Sequence, residues 1–295
     1  ASAGAMDALV DLTTAPVESW DALICTSQAV AEQVRKVFAA QGEYLHRRFG
    51  AKRLTIPRLP VIPLGIHCRD FDFTADQRQT ARSALGLEPE TVAVLFMGRL
   101  SFHAKAHPLA MYQALQRAAD ASARRVVLIE CGWHANESIR NAYAEAAGVA
   151  CPAVRVVTLD GREPANRAIA WAASDVFCSL SDNIQETFGL APLEAMAAGL
   201  PVVVSDWDGY RDTVRHGVDG FRIPTLMPDA GLGVDLARRH ALGIDNYDMY
   251  CGHTSTLLSV DVDAAANSLE RLVRDPILRC RMGESGQARA REIFD

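Results

Sequence analysis

The sequence predicts an α/β fold built on a Rossmann-like, doubly wound parallel sheet. Three observations carry that expectation. Short β-branched runs alternate with longer amphipathic stretches along the chain. Several runs are apolar at every position, the pattern of strands covered on both faces. With 295 residues, 49% of them hydrophobic, 22% charged and 7% aromatic, the chain can also bury a sizeable core. At about 100–200 residues per domain, it holds one large domain or two modest ones.

Strands are expected over 22–26, 59–65, 92–97, 125–132, 154–159, 175–180, 201–205 and 220–223. Between them the helical spacing falls over 27–40, 76–85, 107–121, 136–147, 164–173 and 190–198. Residues 1–58 supply one strand and two helices, too little for a domain, and 56–63 carry three prolines, as a stiff linker would. The polar stretch 226–260 interrupts the strand–helix rhythm and reads as an insertion or lid with a short helical pattern. Residues 261–294 form two helices broken at Asp275–Pro276. In such sheets ligands bind beyond the carboxyl ends of the strands, so the loops after Met97, Gly132, Leu159, Leu180 and Ser205 are where chemistry is expected.

Composition removes several classes. Thirty Lys+Arg against 36 Asp+Glu give a net charge of −6, which argues against nucleic acid or an anionic membrane as the main partner. No apolar run reaches the roughly 18–20 residues of a spanning helix, and residues 1–10 lack the pattern of a secretory signal. The seven cysteines are odd in number, scattered, and never spaced Cys-x-x-Cys. That usage points to buried thiols in a reducing compartment, hence a cytoplasmic protein, with no zinc site. Gly-x-Ser-x-Gly, His-Glu-x-x-His, Gly-x-Gly-x-x-Gly and the P-loop pattern are all absent, which weakens hydrolase, dehydrogenase and nucleotide triphosphatase readings. The chain begins with Ala1, so it is expected to be processed or a fragment.

The segment 179–215, SLSDNIQETFGLAPLEAMAAGLPVVVSDWDGYRDTVR, is the most informative. A strand leads into a polar loop and then a helix with Pro192 in its opening turn and Gly199 at its end. The first-turn N–H groups near Gly189–Leu193 lack intrahelical partners and the helix dipole adds positive charge, so a phosphate is favoured there. Gly189 allows close approach to the backbone. Glu186 and Glu194 flank that end, and the helical side chain leans back toward it. Ionised carboxylates suit vicinal diols, one for a ribose and one for hexose hydroxyls. The same spacing recurs at Glu137/Glu145 and Glu284/Glu292, both read as solvated faces, so context and not spacing singles out the pair.

That context, Glu-x-Phe-Gly-Leu-x3-Glu-Ala-Met-Ala-x-Gly-x-Pro-Val-Val, resembles the retaining glycosyltransferases of family 4, which have the two-domain GT-B architecture. The resemblance implies that Glu186 contacts a donor sugar and Glu194 the ribose, with the backbone of Gly189 and Leu190 near a diphosphate. The strand 92–97 ends in Gly98-Arg99-Leu100, with Lys105 in the same loop; these match the family's phosphate-binding Arg and Lys, and the resemblance implies no metal and no other cofactor. Fixed cations there would stabilise the departing diphosphate. Departures exist: the loop has one residue more than the family pattern, and Ala106 stands for the usual Gly. Asp208-Gly209 and Asp212 replace two glycines and a Glu. Asp208 reads either as altering donor choice or as a cap for the next helix. Trp133 is read as a packed loop aromatic, His67 as structural, and the turn 158–162 as the place where relatives cradle the nucleobase.

On this resemblance, 1–58 is a remnant of an N-terminal acceptor domain plus linker. Residues 59–295 form the nucleotide-sugar-binding domain with an insertion at 226–260. A preceding portion on the order of 150 residues is expected to be missing, with the acceptor side of the cleft. The expected activity is sugar transfer from a nucleotide-diphosphate-sugar to an unidentified acceptor. A nucleotide-sugar epimerase on the same architecture and a non-catalytic binding module are the alternatives.

Overall fold

A computed structural model describes residues 3–295. At the amino end, α1 (Ala3–Leu12) and α2 (Gln28–Phe49) pack together over Cys25, Ala31, Val34 and Phe38. Ser27 caps α2 by accepting from the Val30 N–H, and Gly50 ends it in the left-handed conformation, nine residues beyond the expected end. The strands expected at 22–26 and 59–65 form only two isolated parallel bridges, Ala22 with Arg58 and Cys25 with Val61. The reason lies in Pro57, Pro60 and Pro63: with no N–H to donate, they cannot sustain a ladder.

A 3-10 turn (Cys68–Phe71) and α3 (Ala75–Ala84), closed by a Thr74/Gln77 capping box, lead into the main sheet. Its strands are β1 (Val92–Met97), β2 (Val126–Gly132), β3 (Arg155–Asp160), β4 (Val176–Ser179), β5 (Val202–Ser205) and β6 (Gly220–Ile223). They lie in the order β3-β2-β1-β4-β5-β6 and pair in parallel throughout. Alternate residues of β1 serve opposite cores. Val92, Val94 and Phe96 pack with α4 (Pro108–Ser122), α5 (Glu137–Ala150) and α11 (Val262–Arg274). Ala93, Leu95 and Met97 pack with α6 (Pro164–Ala173) and α7 (Leu190–Ala197). This double coverage is why the strands lack a polar face. Each fully buried Val or Leu contributes about 1.5–3 kcal/mol of transfer free energy.

After β5 comes the single turn α8 (Tyr210–Thr213). The stretch 226–260 is more ordered than expected. Here β7 (Thr225–Leu226) and β8 (Ser259–Val260) pair antiparallel and close an excursion containing α9 (Val234–Ala241) and α10 (Tyr247–Ser255). Buried Asp245 holds it together, accepting from Arg239 at 2.8 Å. Finally α12 (Pro276–Ile293) follows α11 after the break at Asp275, which caps it by accepting from Leu278 N–H. All seven cysteines are free thiols, six of them buried. Among the described residues, no helix is long and apolar enough to cross a membrane.

Candidate donor-binding cleft

The strand order reverses between β1 and β4, and loops diverging from such a switch point leave a crevice at the strand carboxyl ends. A cleft of about 490 Å³ lies there. Its lining includes Gly98, Arg99, Lys105, Glu186, Gly189, Leu190 and Glu194, so every site residue singled out in the sequence borders one space.

The loop after β1 absorbs its extra residue in a tight turn: Lys105 N–H donates to Ser101 O at 3.1 Å. Lys105 thereby points into the cleft and its ammonium pairs with the Glu186 carboxylate. Arg99 donates to Ala104 O at 3.3 Å, leaving further guanidinium donors at the cleft wall. The loop after β4 is stitched to this turn. Ser181 Oγ donates to Lys105 O at 3.2 Å, Asn183 Nδ2 to His103 O at 3.2 Å, and Gln185 Nε2 to Ala104 O at 2.9 Å. Ser181, Asn183 and Gln185 were not picked out from sequence. The available signal was a run of hydroxyl and amide side chains directly after a strand at the switch point.

Glu186 is 7% exposed, and Ser181 Oγ reaches its carboxylate at 3.4 Å. Gly189 sits at the N-cap of α7 with φ +86°; a Cβ there would lie 2.2 Å from the Tyr210 ring, so no other residue fits unstrained. Glu194 is half-buried one turn into α7, and burial raises its pKa while the charge of Arg167 opposes the rise.

The backbone at the ends of β1, β2 and β3 forms a second constraint. A Cβ on Gly132 would fall 1.9 Å from Gly98 O, and one on Gly161 would fall 2.9 Å from Gly132 Cα. Gly98 N–H donates to Cys131 O at 3.1 Å and Gly161 N–H to Gly132 O at 2.9 Å, so three loops run in contact.

Beyond this seam a groove of about 370 Å³ is lined by Trp133, His134, Arg140, Thr158, Asp160 and Arg162 among others. Trp133, expected as a packed aromatic, is 40% exposed and lines it. Arg162 donates to both Asp160 oxygens and holds that carboxyl down at about 2. His67 is exposed beside the 3-10 turn and makes no capping bond.

The segment 206–212 packs behind residues 187–189 of the cleft wall. Asp208 takes φ +43°, where the resembled family has glycine, and burial followed by the Glu186 charge lifts its carboxyl to about 7. It does not cap α8: Gly209 occupies that position and no side chain caps the end. Asp212 instead accepts from Gln28 N–H at 2.5 Å, tying the α2 end to this segment, and Ser27 Oγ donates to Thr187 O at 2.7 Å, tying the same end to the loop after β4. Among the described residues, no three His, Cys, Asp or Glu side chains gather as a metal-binding set.

Solved structures share this architecture. Anabaena HepE in complex with UDP aligns with TM-score 0.60 and 20% identity, over 92% of this chain and 59% of that one. WaaG, a glycosyltransferase involved in lipopolysaccharide biosynthesis, aligns with TM-score 0.58 and 16% identity, over 96% of this chain and 77% of that one. Fold and cleft define a Rossmann-like domain of the GT-B class. Residues 91–231 match the family model of glycosyl transferases group 1. Curated relatives agree. A D-inositol 3-phosphate glycosyltransferase of Geodermatophilus obscurus is 34% identical over 240 residues, 75% of this chain and 49% of that protein. One of Rhodococcus opacus is 30% identical over 205 residues, 66% and 43%. The chain thus spans about half the length of the curated relatives it matches.

Proposed function

We propose that the cleft binds a nucleoside-diphosphate sugar and that the chain serves as the donor-holding part of a retaining glycosyltransferase. The observation that carries this reading is the convergence of Arg99, Lys105, Glu186 and Glu194 around the Gly189 end of α7. A diphosphate seated against the first turn of α7 meets unpaired N–H groups and the positive end of the helix dipole. As the sugar–phosphate bond breaks, negative charge grows on the leaving phosphate. Arg99 and Lys105 are placed to neutralise it, so charge stabilisation is assigned to these cations and no metal cofactor is invoked. Glu186, fixed by Lys105 and Ser181, orients the hexose hydroxyls; Glu194 takes the ribose diol. Retention of configuration is carried over from the family resemblance, and the acceptor is left unassigned. The UDP, UDP-glucose and glucose in the HepE structures support a nucleotide-sugar ligand here.

Isothermal titration of the chain with UDP-, GDP- and ADP-sugars tests the reading. One base is expected to give saturable heat that Glu194→Ala weakens by about 10- to 100-fold, the loss of charge-assisted hydrogen bonds. No heat from any of them, or heat unaffected by Glu194→Ala, refutes it.

A further inference from the structure

We infer that a second pocket, at the opposite end of the sheet from the donor cleft, binds a small phosphate-bearing anion through Arg124 and Arg279. The inference is independent of the donor reading.

The pocket encloses about 350 Å³, within the size range of small-molecule sites. Its walls include Arg78, Arg82, Arg124, Arg274 and Arg279. Four separate segments bring them together. Arg78 and Arg82 lie one turn apart on α3 and so share a face. Arg124 is in the turn before β2, Arg274 ends α11, and Arg279 lies in the first turn of α12. Val92 and Asp175 place the pocket at the amino ends of β1 and β4. The donor cleft lies at Met97, so the length of β1, roughly 16 Å at 3.3 Å per residue, stands between the two.

Five guanidinium groups face two carboxylates of the lining, Asp175 and Glu90. Asp175 is already engaged: its Oδ2 accepts from Arg82 at 2.9 Å and from Ala93 N–H at 2.9 Å, and Arg78 stands 3.6 Å from its other oxygen. Arg82 also donates to Thr91 O at 2.7 Å and Ala173 O at 3.0 Å, which fixes it as part of the wall. Glu90 comes only within 3.6 Å of Arg124, and both side chains are more than half exposed, a pairing that contributes little. Glu270, outside the lining, takes Arg274 at 3.0 Å. Arg279 donates to Val273 O at 3.1 Å, at the end of α11, and among the described residues it has no ion-pair partner. Burial lowers its pKa; Asp175 and Asp275 oppose that shift, and the Arg124 and Arg82 charges reinforce it.

The excess positive charge of the pocket therefore sits on Arg124 and Arg279. Guanidinium forks match phosphate oxygens in pairs and are weakly hydrated, so turning them toward a ligand costs less than it would for an ammonium. A multiply charged phosphate satisfies both groups at once, whereas a single carboxylate leaves charge over. Pro89, Val92, Val273 and Pro276 also line the space and offer no side-chain hydrogen bond, so recognition rests on the anionic group.

The test is isothermal titration of the full chain carrying Arg99→Ala, which removes a phosphate-binding cation from the donor cleft. Pyrophosphate and a hexose 6-phosphate are the probes; they distinguish a free inorganic anion from a phosphorylated metabolite. At least one should bind saturably. Adding Arg124→Glu, at an exposed position, should weaken that binding by at least about tenfold, and Arg279→Gln should weaken it by about tenfold, the loss of a charge-assisted contact. Melting curves check that both variants fold; if Arg279→Gln does not, Arg124→Glu decides. No saturable binding of either probe, or binding that Arg124→Glu leaves unchanged, overturns the inference. Amide hydrogen exchange locates the anion in the wild type. The bound probe should slow exchange across 88–92 and 273–280 several-fold, and sodium chloride at equal ionic strength should not. Protection confined to 181–189, or matched by the salt, overturns the site.

Discussion

Glu130 lies mid-sheet on β2, 2% exposed, accepting from the Tyr112 hydroxyl. Burial lifts its carboxyl from 4.5 to about 7, outweighing the Tyr112 hydrogen bond, which acts the other way. A folded-state pKa above the unfolded one means the folded chain binds the extra proton between those values. Stability is then full below pH 4.5 and falls as pH rises toward 7. At 1.36 kcal/mol per pH unit the total loss is about 3.4 kcal/mol, of which about 2.5 kcal/mol falls between pH 5 and pH 8. Glu130→Gln mimics the neutral acid, keeps an acceptor for Tyr112 and removes the titration. Asp182 and Asp208, raised to about 6 and about 7, titrate in both proteins and cancel in the difference. Urea unfolding of wild type and variant at both pH values measures it. The variant should gain about 2.5 kcal/mol on the wild type between pH 5 and pH 8. Parallel pH dependences would falsify the assignment of a neutral buried acid.

Further outcomes follow from the cleft. Lys105→Ala leaves the mostly buried Glu186 without its cation and should cost about 1–2 kcal/mol, discounted because Lys105 is partly exposed; adding Glu186→Gln should recover part of it in thermal unfolding. Gly189→Ala combines a left-handed backbone with overlap of the Tyr210 ring. It should lower stability by at least about 2 kcal/mol and abolish diphosphate binding, read by melting and titration. Arg99→Ala should weaken the diphosphate by about tenfold or more, with its hexose increment preserved, in the same titrations. Chelation with EDTA should leave donor affinity unchanged; a loss of affinity restored by a divalent ion would show that the two cations do not suffice.

Much of this was legible because the strands advertise themselves. VAVLFM is apolar at each position and VVVS at all but its last, the pattern of a strand buried on both faces. The cleft was legible because its residues lie in the loops, and at the helix start, that follow those strands. What escaped depended on contacts between distant segments. Asn183 and Gln185 matter through carbonyls at 103 and 104, and Asp212 accepts from the N–H of Gln28, 184 residues away. The strands expected at 22–26 and 59–65 shrink to isolated bridges because the prolines at 57, 60 and 63 lack the donors a ladder needs. In 226–260, α9 and α10 were obscured by mixed polarity. The exposed Leu232, Leu242 and Ile244 do not mark a buried stripe.

The run of bare backbone at Gly98, Gly132 and Gly161 makes neighbouring loops into a single rigid sill. No side chain can be slipped between them to widen one end without displacing the other. Changes of shape at this end of the domain are therefore confined to the rim, where Trp133 and Arg162 line the neighbouring groove, while the sill keeps its form.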